Sequence, residues 1–231
     1  LVGSEMCIRD REYTPHWNPF QFNATTANPA HLPPTSEAAI GRTDRANHQY
    51  DLSDFIETLK DGNMPAVSYL KGTTEGSGHP GESGPLDEQK FIVNTVNQIE
   101  KSKDWPSTAI VITYDDSDGW YDHAPSKIIS GSHDSSIDES VCTKVPVTVG
   151  TSNGRCGLSQ RLPMVVISPY TQDNYVSHNL TDTTSVVKFI EDNWLNGQRI
   201  PGSYDSVSGS LDARGGLLDF YVRPHYRPVI L

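Results

Sequence analysis

Three short apolar runs, set among amphipathic helical stretches, constrain this chain most. PAVSYLKG predicts a strand at about Ala66–Leu70, STAIVITY one at about Thr108–Tyr114, and LPMVVISPY one at about Met164–Ser168. Between the first two, Leu86–Ser102 spaces Phe91, Ile92, Val96 and Ile99 as one helical face. Asp87 and Glu88 stand in its first turn, where carboxylates complement the helix dipole. Upstream, SDFIETLKDG predicts a short helix with Ser53 as N-cap, Phe55, Ile56 and Leu59 on one face, and a stop at Gly62. Downstream, TDTTSVVKFIEDNWL predicts a helix from about Thr183, capped by Thr181 or Asp182. Continuous apolar strands suit a sheet covered on both faces. The alternation therefore predicts an α/β fold with a largely parallel sheet. In such sheets ligands bind beyond the carboxyl ends of the strands.

The N-terminus follows a different logic. Leu1–Asp10 read LVGSEMCIRD, which resembles the in-frame translation of a transposase adapter used to prepare sequencing libraries. The adapter's last two bases admit Ser or Arg next, and Arg11 follows. Residues 1–11 are therefore expected to carry no biology, with 12–231 forming the C-terminal part of one domain whose upstream part, and any signal peptide, were cut away. Setting Cys7 aside leaves Cys142 and Cys156, which flank a Val-, Thr-, Gly- and Ser-rich loop. A disulfide between them is expected, and with it a secreted or periplasmic location. The net charge of −11 over 231 residues disfavours nucleic acid and anionic membranes as partners. No apolar run approaches the roughly 18–20 residues of a membrane helix. From Glu12 to about Tyr50 the prolines Pro15, Pro19, Pro29, Pro33 and Pro34 predict an irregular segment.

Chemistry-bearing residues gather after the strands. The loop after the first holds His79, in GSGHPGES, where Gly and Pro predict a rigid turn. The loop after the second is YDDSDGWYDH, with Asp115, Asp116, Asp118 and Asp122 within eight residues. Carboxylates this close need a cation or a proton to offset their repulsion, and oxygen ligands suit a hard divalent metal. A solvated acidic turn is the plainer alternative. A helix–loop–helix calcium site is disfavoured, because Lys127 stands where its closing Glu belongs. The loop after the third strand holds His178, in NYVSHNL. His16, in PHWNPF, and His48, in ANHQYDL, each sit among aromatic residues or prolines. His31, His133 and His225 have no supporting context.

Taken together, HWNPF, NPAHLPPTS, ANHQYDLSDF, MPAVSYLK, GHPGES, PLDEQ, ITYDDSDGWYDH, GRCG, RLPMVVISPY and KFIEDNW resemble the bacterial phosphoesterase family. That family comprises phospholipases C and an acid phosphatase, within the alkaline-phosphatase-like superfamily. The resemblance runs from about Tyr13 to about Trp194. It implies a three-layer α/β/α fold, a Ser or Thr nucleophile attacking phosphorus, and one or more divalent metals. Asp115 and Asp116 are implied metal ligands, and His79 and His16 catalytic contacts to the phosphoryl or leaving group. His178 and His48 are weaker matches, as substrate-binding residues. The family's nucleophile and its Glu-Asn metal pair have no counterpart in this chain. The substrate implied is a phosphate ester, phospholipids among them. A phosphomonoester, a sulfate or phosphonate ester, or a non-catalytic metal-stabilised binding module are the competing readings.

Overall fold

The computed structural model describes residues 2–4, 17–118, 120–132, 136, 142–144, 156–209 and 211. They fall in two compact units, one ending at Thr108 and the other beginning at Ala109.

The first unit opens with polar turns rather than regular structure. Trp17 to Gln49 contains two 3-10 turns, Pro19–Phe22 and Glu37–Ala39. Its prolines remove ladder donors, so side chains satisfy the backbone instead. Asn28 Nδ2 donates to Leu32 O at 2.9 Å, Asn47 Nδ2 to Ala27 O at 2.8 Å, and Gln49 Nε2 to Thr26 O at 2.9 Å. Ile40, Ala46 and Tyr50 form an apolar cluster beneath them. The Tyr50 hydroxyl accepts from Gly41 N at 3.0 Å and donates to Arg42 O at 3.2 Å, so the buried phenol is satisfied.

A parallel sheet follows, in the order β2 (Gln49–Tyr50), β1 (Val2–Ser4), β3 (Ser68–Leu70). Gly3 is opposite Gln49 on one side and Tyr69 on the other. The central strand thus comes from the segment expected to be adapter-derived. Ladder bonds are made by backbone groups that every non-proline residue carries, so three residues can pair this way whatever their origin.

Helix α1 (Leu52–Asp61) starts two residues earlier than its sequence suggests. Asp51 rather than Ser53 is the N-cap, and Asp54 closes a capping box by accepting from Asp51 N at 3.1 Å. Leu52, Phe55, Thr58 and Leu59 make its buried face. Gly62 ends it at φ 71°, where its N–H donates to Thr58 O at 3.0 Å. Helix α2 (Pro85–Glu100) begins on Pro85, whose missing N–H costs nothing in a first turn. Val96 and Ile99 are buried, while Phe91 and Ile92 are only half-buried.

In the second unit, β4 (Ile110–Thr113) and β5 (Met164–Ile167) pair antiparallel, with Ile110 opposite Ile167 and Thr113 opposite Met164. Both runs are strands as expected, but their mutual direction is not the parallel one. A continuous apolar run reports coverage of a strand's faces and carries no information on direction. Coverage is also partial: β4 is half-buried, and Val165 is 51% exposed. Cys142 and Cys156 are joined with Cα atoms 5.4 Å apart, as expected. Helix α3 (Thr184–Trp194) packs against the 3-10 turn Tyr204–Ser206. Helices and small sheets are thus mixed along the chain, in keeping with the α/β class.

Candidate active site

The carboxylate loop leaves β4 at Thr113, whose hydroxyl donates to Pro163 O at 3.2 Å. Its acids divide into two kinds. Asp122 is held by a cation: Arg161 Nε and Nη2 reach its two oxygens at 2.7 and 2.8 Å. Asp122 also accepts from Ala124 N at 3.0 Å and Arg161 N at 3.2 Å. The Arg161 hydrogen bonds, with that of Ala124, hold its carboxyl well below the usual carboxylate range. The sequence reading missed this pairing, which spans 39 residues.

Asp115 and Asp116 are the other kind. Both are exposed. Asp115 Oδ1 accepts from Asp116 N at 3.2 Å, and Asp116 Oδ1 accepts from Asp118 N at 2.6 Å. Asp118 has φ 46°, a left-handed turn that short polar residues tolerate. These bonds fold the backbone around the adjacent pair. As hard oxygen donors the two suit a divalent cation in kind. Among the described residues, no group of three or more His, Cys, Asp or Glu converges on one point. The pair therefore fits part of a coordination shell.

His79 sits on a tied turn of the first unit. Its N–H donates to Ser77 Oγ at 3.2 Å, and its carbonyl accepts from Glu82 N at 3.0 Å and Ser83 N at 3.1 Å. Ser83 Oγ accepts from Gly78 N at 2.7 Å. Gly78 has φ 78°, a left-handed conformation that favours glycine. The exposed imidazole places Nδ1 2.9 Å from Pro80 O. A carbonyl only accepts, so Nδ1 is the donor in this contact. A cavity of about 640 Å³ opens beside this turn, lined by Leu52, Ile56, Glu75, Glu82, Asp87 and Phe91.

His48 is half-buried at φ 66°, with Nε2 3.4 Å from Thr43 Oγ1. Burial lowers its pKa, with the nearby Asp44 acting the other way. His31, to which the sequence gave no role, pairs Nε2 with Asp51 Oδ1 at 3.0 Å at the start of α1. His178 is exposed between β5 and α3. Because β4 and β5 run antiparallel, the loops carrying Asp115 and His178 leave from opposite ends of the pair. The shared sheet edge expected for them is therefore not supplied by strand direction. His16 lies outside the described residues.

Comparison with known proteins decides the family. The profile described as "Phosphoesterase family" matches residues 9–195, a span that contains every one of these histidines and aspartates. The chain belongs to the phosphoesterase family. It is 31% identical over 140 residues to the non-hemolytic phospholipase C of Burkholderia pseudomallei, covering 58% of this chain and 20% of that protein. It is 29% identical over 136 residues to the non-hemolytic phospholipase C of Pseudomonas aeruginosa, covering 55% and 20%. A plant relative, non-specific phospholipase C6 of Arabidopsis thaliana, is 26% identical over 142 residues, covering 56% and 24%. The matched part of this phosphoesterase chain thus spans between 20% and 24% of these relatives' lengths.

Proposed function

We propose that this chain is the C-terminal part of a secreted or periplasmic phosphoric ester hydrolase of the phospholipase C type, with residues 1–11 foreign to it. The observation that carries this reading is the family match across residues 9–195, shared with relatives named phospholipase C. Asp115 and Asp116 would hold a divalent cation together with ligands from the remainder of the whole enzyme. Such a cation, when bound, neutralises phosphoryl charge and acidifies a hydroxyl nucleophile.

The two adjacent carboxyl groups supply the oxygen donors, with their loop braced by the backbone bonds at Asp116 and Asp118. His79, whose Nδ1 lies 2.9 Å from Pro80 O, donates to the phosphoryl group or protonates the departing alkoxide. His16 donates to phosphoryl oxygens, and His178 and His48 contact the substrate. The nucleophile is a Ser or Thr outside this chain, and the domain is a three-layer α/β/α sandwich. A phospholipid is the proposed substrate and a phosphomonoester the alternative, as in an acid phosphatase.

The test is turnover by the whole protein on a phosphatidyl diester, a phosphomonoester and a sulfate ester. Preference for the lipid diester supports the reading. Activity confined to the monoester selects the phosphatase, and activity confined to the sulfate ester contradicts the reading.

A further inference from the structure

Two asparagines outside the proposed site share a sequence pattern and an environment. Asn23–Ala24–Thr25 and Asn179–Leu180–Thr181 both read Asn-x-Thr with no proline between. That pattern is the acceptor for N-linked glycans in secretory compartments. The pattern alone arises often by chance, so the surroundings decide.

Both asparagines are exposed. Asn23 follows the Pro19–Phe22 turn, and its Oδ1 accepts from Thr25 N at 3.1 Å and Thr25 Oγ1 at 2.9 Å. Its Nδ2, the atom a glycan would occupy, makes no hydrogen bond among the described residues. The Asn179 side chain makes none there either. Other asparagines differ. Nδ2 of Asn28, Asn47 and Asn193 donates to a backbone carbonyl at 2.9, 2.8 and 2.8 Å, and Nδ2 of the buried Asn18 donates to Gln49. A glycan on any of these would break that hydrogen bond, whereas Asn23 and Asn179 can carry one at no such cost. Each also adjoins an exposed apolar side chain, Phe22 at 76% and Leu180 at 53%, which the apolar face of a first sugar would cover.

We propose that Asn23 and Asn179 are N-glycan acceptors, an inference that rests on the reading that the chain enters an oxidising secretory compartment. The Cys142–Cys156 disulfide supports that route. The donor is an oligosaccharide linked to a polyprenyl diphosphate. The asparagine nitrogen attacks C1 of the first sugar, forming C1–N as C1–O breaks. Nitrogen gives up one proton and the polyprenyl diphosphate leaves, with no change of oxidation state.

The test expresses the whole chain behind a cleavable secretion signal in eukaryotic cells, so that entry does not depend on the chain's own routing. Glycopeptides are released by amidase in heavy-oxygen water and mapped. Labelled Asp at positions 23 and 179 is expected. Thr25→Ala and Thr181→Ala should abolish the label at their own site, and Thr25→Ser and Thr181→Ser should retain it. An unmodified Asn23 or Asn179 in the secreted, disulfide-bonded chain overturns the assignment at that site. Disulfide formation, read on the same sample, reports that the chain folded in the oxidising lumen, and the secretion reading is tested separately by expressing the full-length protein without the added signal.

Discussion

Arg199 should matter more to stability than a partly exposed arginine usually does, and more at neutral than at acid pH. It reaches Glu191 Oε2 at 3.2 Å and also pairs with Asp192. Glu191 is 2% exposed and Asp205 is 0% exposed. Burial pushes the Glu191 carboxyl up, and its hydrogen bond to Asp205 adds to that. Burial pushes Asp205 up too, but hydrogen bonds from Ser203, Ile200 N and Glu191 outweigh it and hold the carboxyl down. The two carboxyls are therefore shifted in opposite directions, Glu191 holding its proton more readily than an ordinary glutamate and Asp205 less readily than an ordinary aspartate.

The signs follow from linkage. Glu191, raised, contributes stability below its unfolded pKa that is lost as pH rises through its folded value. Asp205, lowered, contributes stability above its unfolded pKa that is lost as pH falls through its folded value. The pair is therefore best accommodated in mildly acid solution, and Arg199 offsets the second charge as pH rises. Arg199→Ala removes the cation from the buried Glu191 and the half-buried Asp192. Breaking such a set costs about 3 kcal/mol, the lower end of the range for buried ion pairs, since the Arg199 side chain is itself 26% exposed. For a chain of this size that lowers Tm by roughly 6–12 °C. Thermal unfolding at about pH 8 should show this loss, and at about pH 5 a smaller one. Glu191→Gln, which keeps a donor to Asp205, should flatten the parent's pH dependence. An Arg199→Ala loss of equal size at both pH values would refute the linkage account.

Three further outcomes follow. Phe55, 1% exposed in α1, should cost about 3–5 kcal/mol when truncated to Ala, read by urea unfolding. Opening the Cys142–Cys156 loop, a separation of 14 residues, by Cys142→Ser with Cys156→Ser should cost about 3 kcal/mol, seen as a Tm decrease that reductant reproduces in the parent. The 231-residue chain alone should show no phosphoester turnover and only weak divalent-cation binding by calorimetry. Tight stoichiometric binding would place the full ligand set within it.

Local features were legible and long-range ones were not. The runs at Ile110–Thr113 and Met164–Ile167 announce strands because β-branched residues fill both faces, yet nothing in them encodes antiparallel pairing. Helix α2 followed from the spacing of Phe91, Ile92, Val96 and Ile99. The cap of α1 was misplaced because Ser53 and Asp51 are both good caps, and only the Asp54 box distinguishes them. Asp122 looked like one of four equivalent acids, because its partner Arg161 lies 39 residues away. The burial of Glu191 and Asp205 leaves no local pattern in the sequence. The rigidity of the His79 turn was legible, because Gly and Pro impose it locally.

The central claim is that Asp115 and Asp116 hold a catalytic metal in the whole enzyme. The direct measurement is metal content and turnover of the full-length protein carrying Asp115→Asn with Asp116→Asn, beside its parent. The account predicts loss of bound divalent metal and a fall in turnover of at least about 100-fold, the upper end of what even outer-shell partners of a metal cost. Unchanged metal stoichiometry together with unchanged turnover would contradict it.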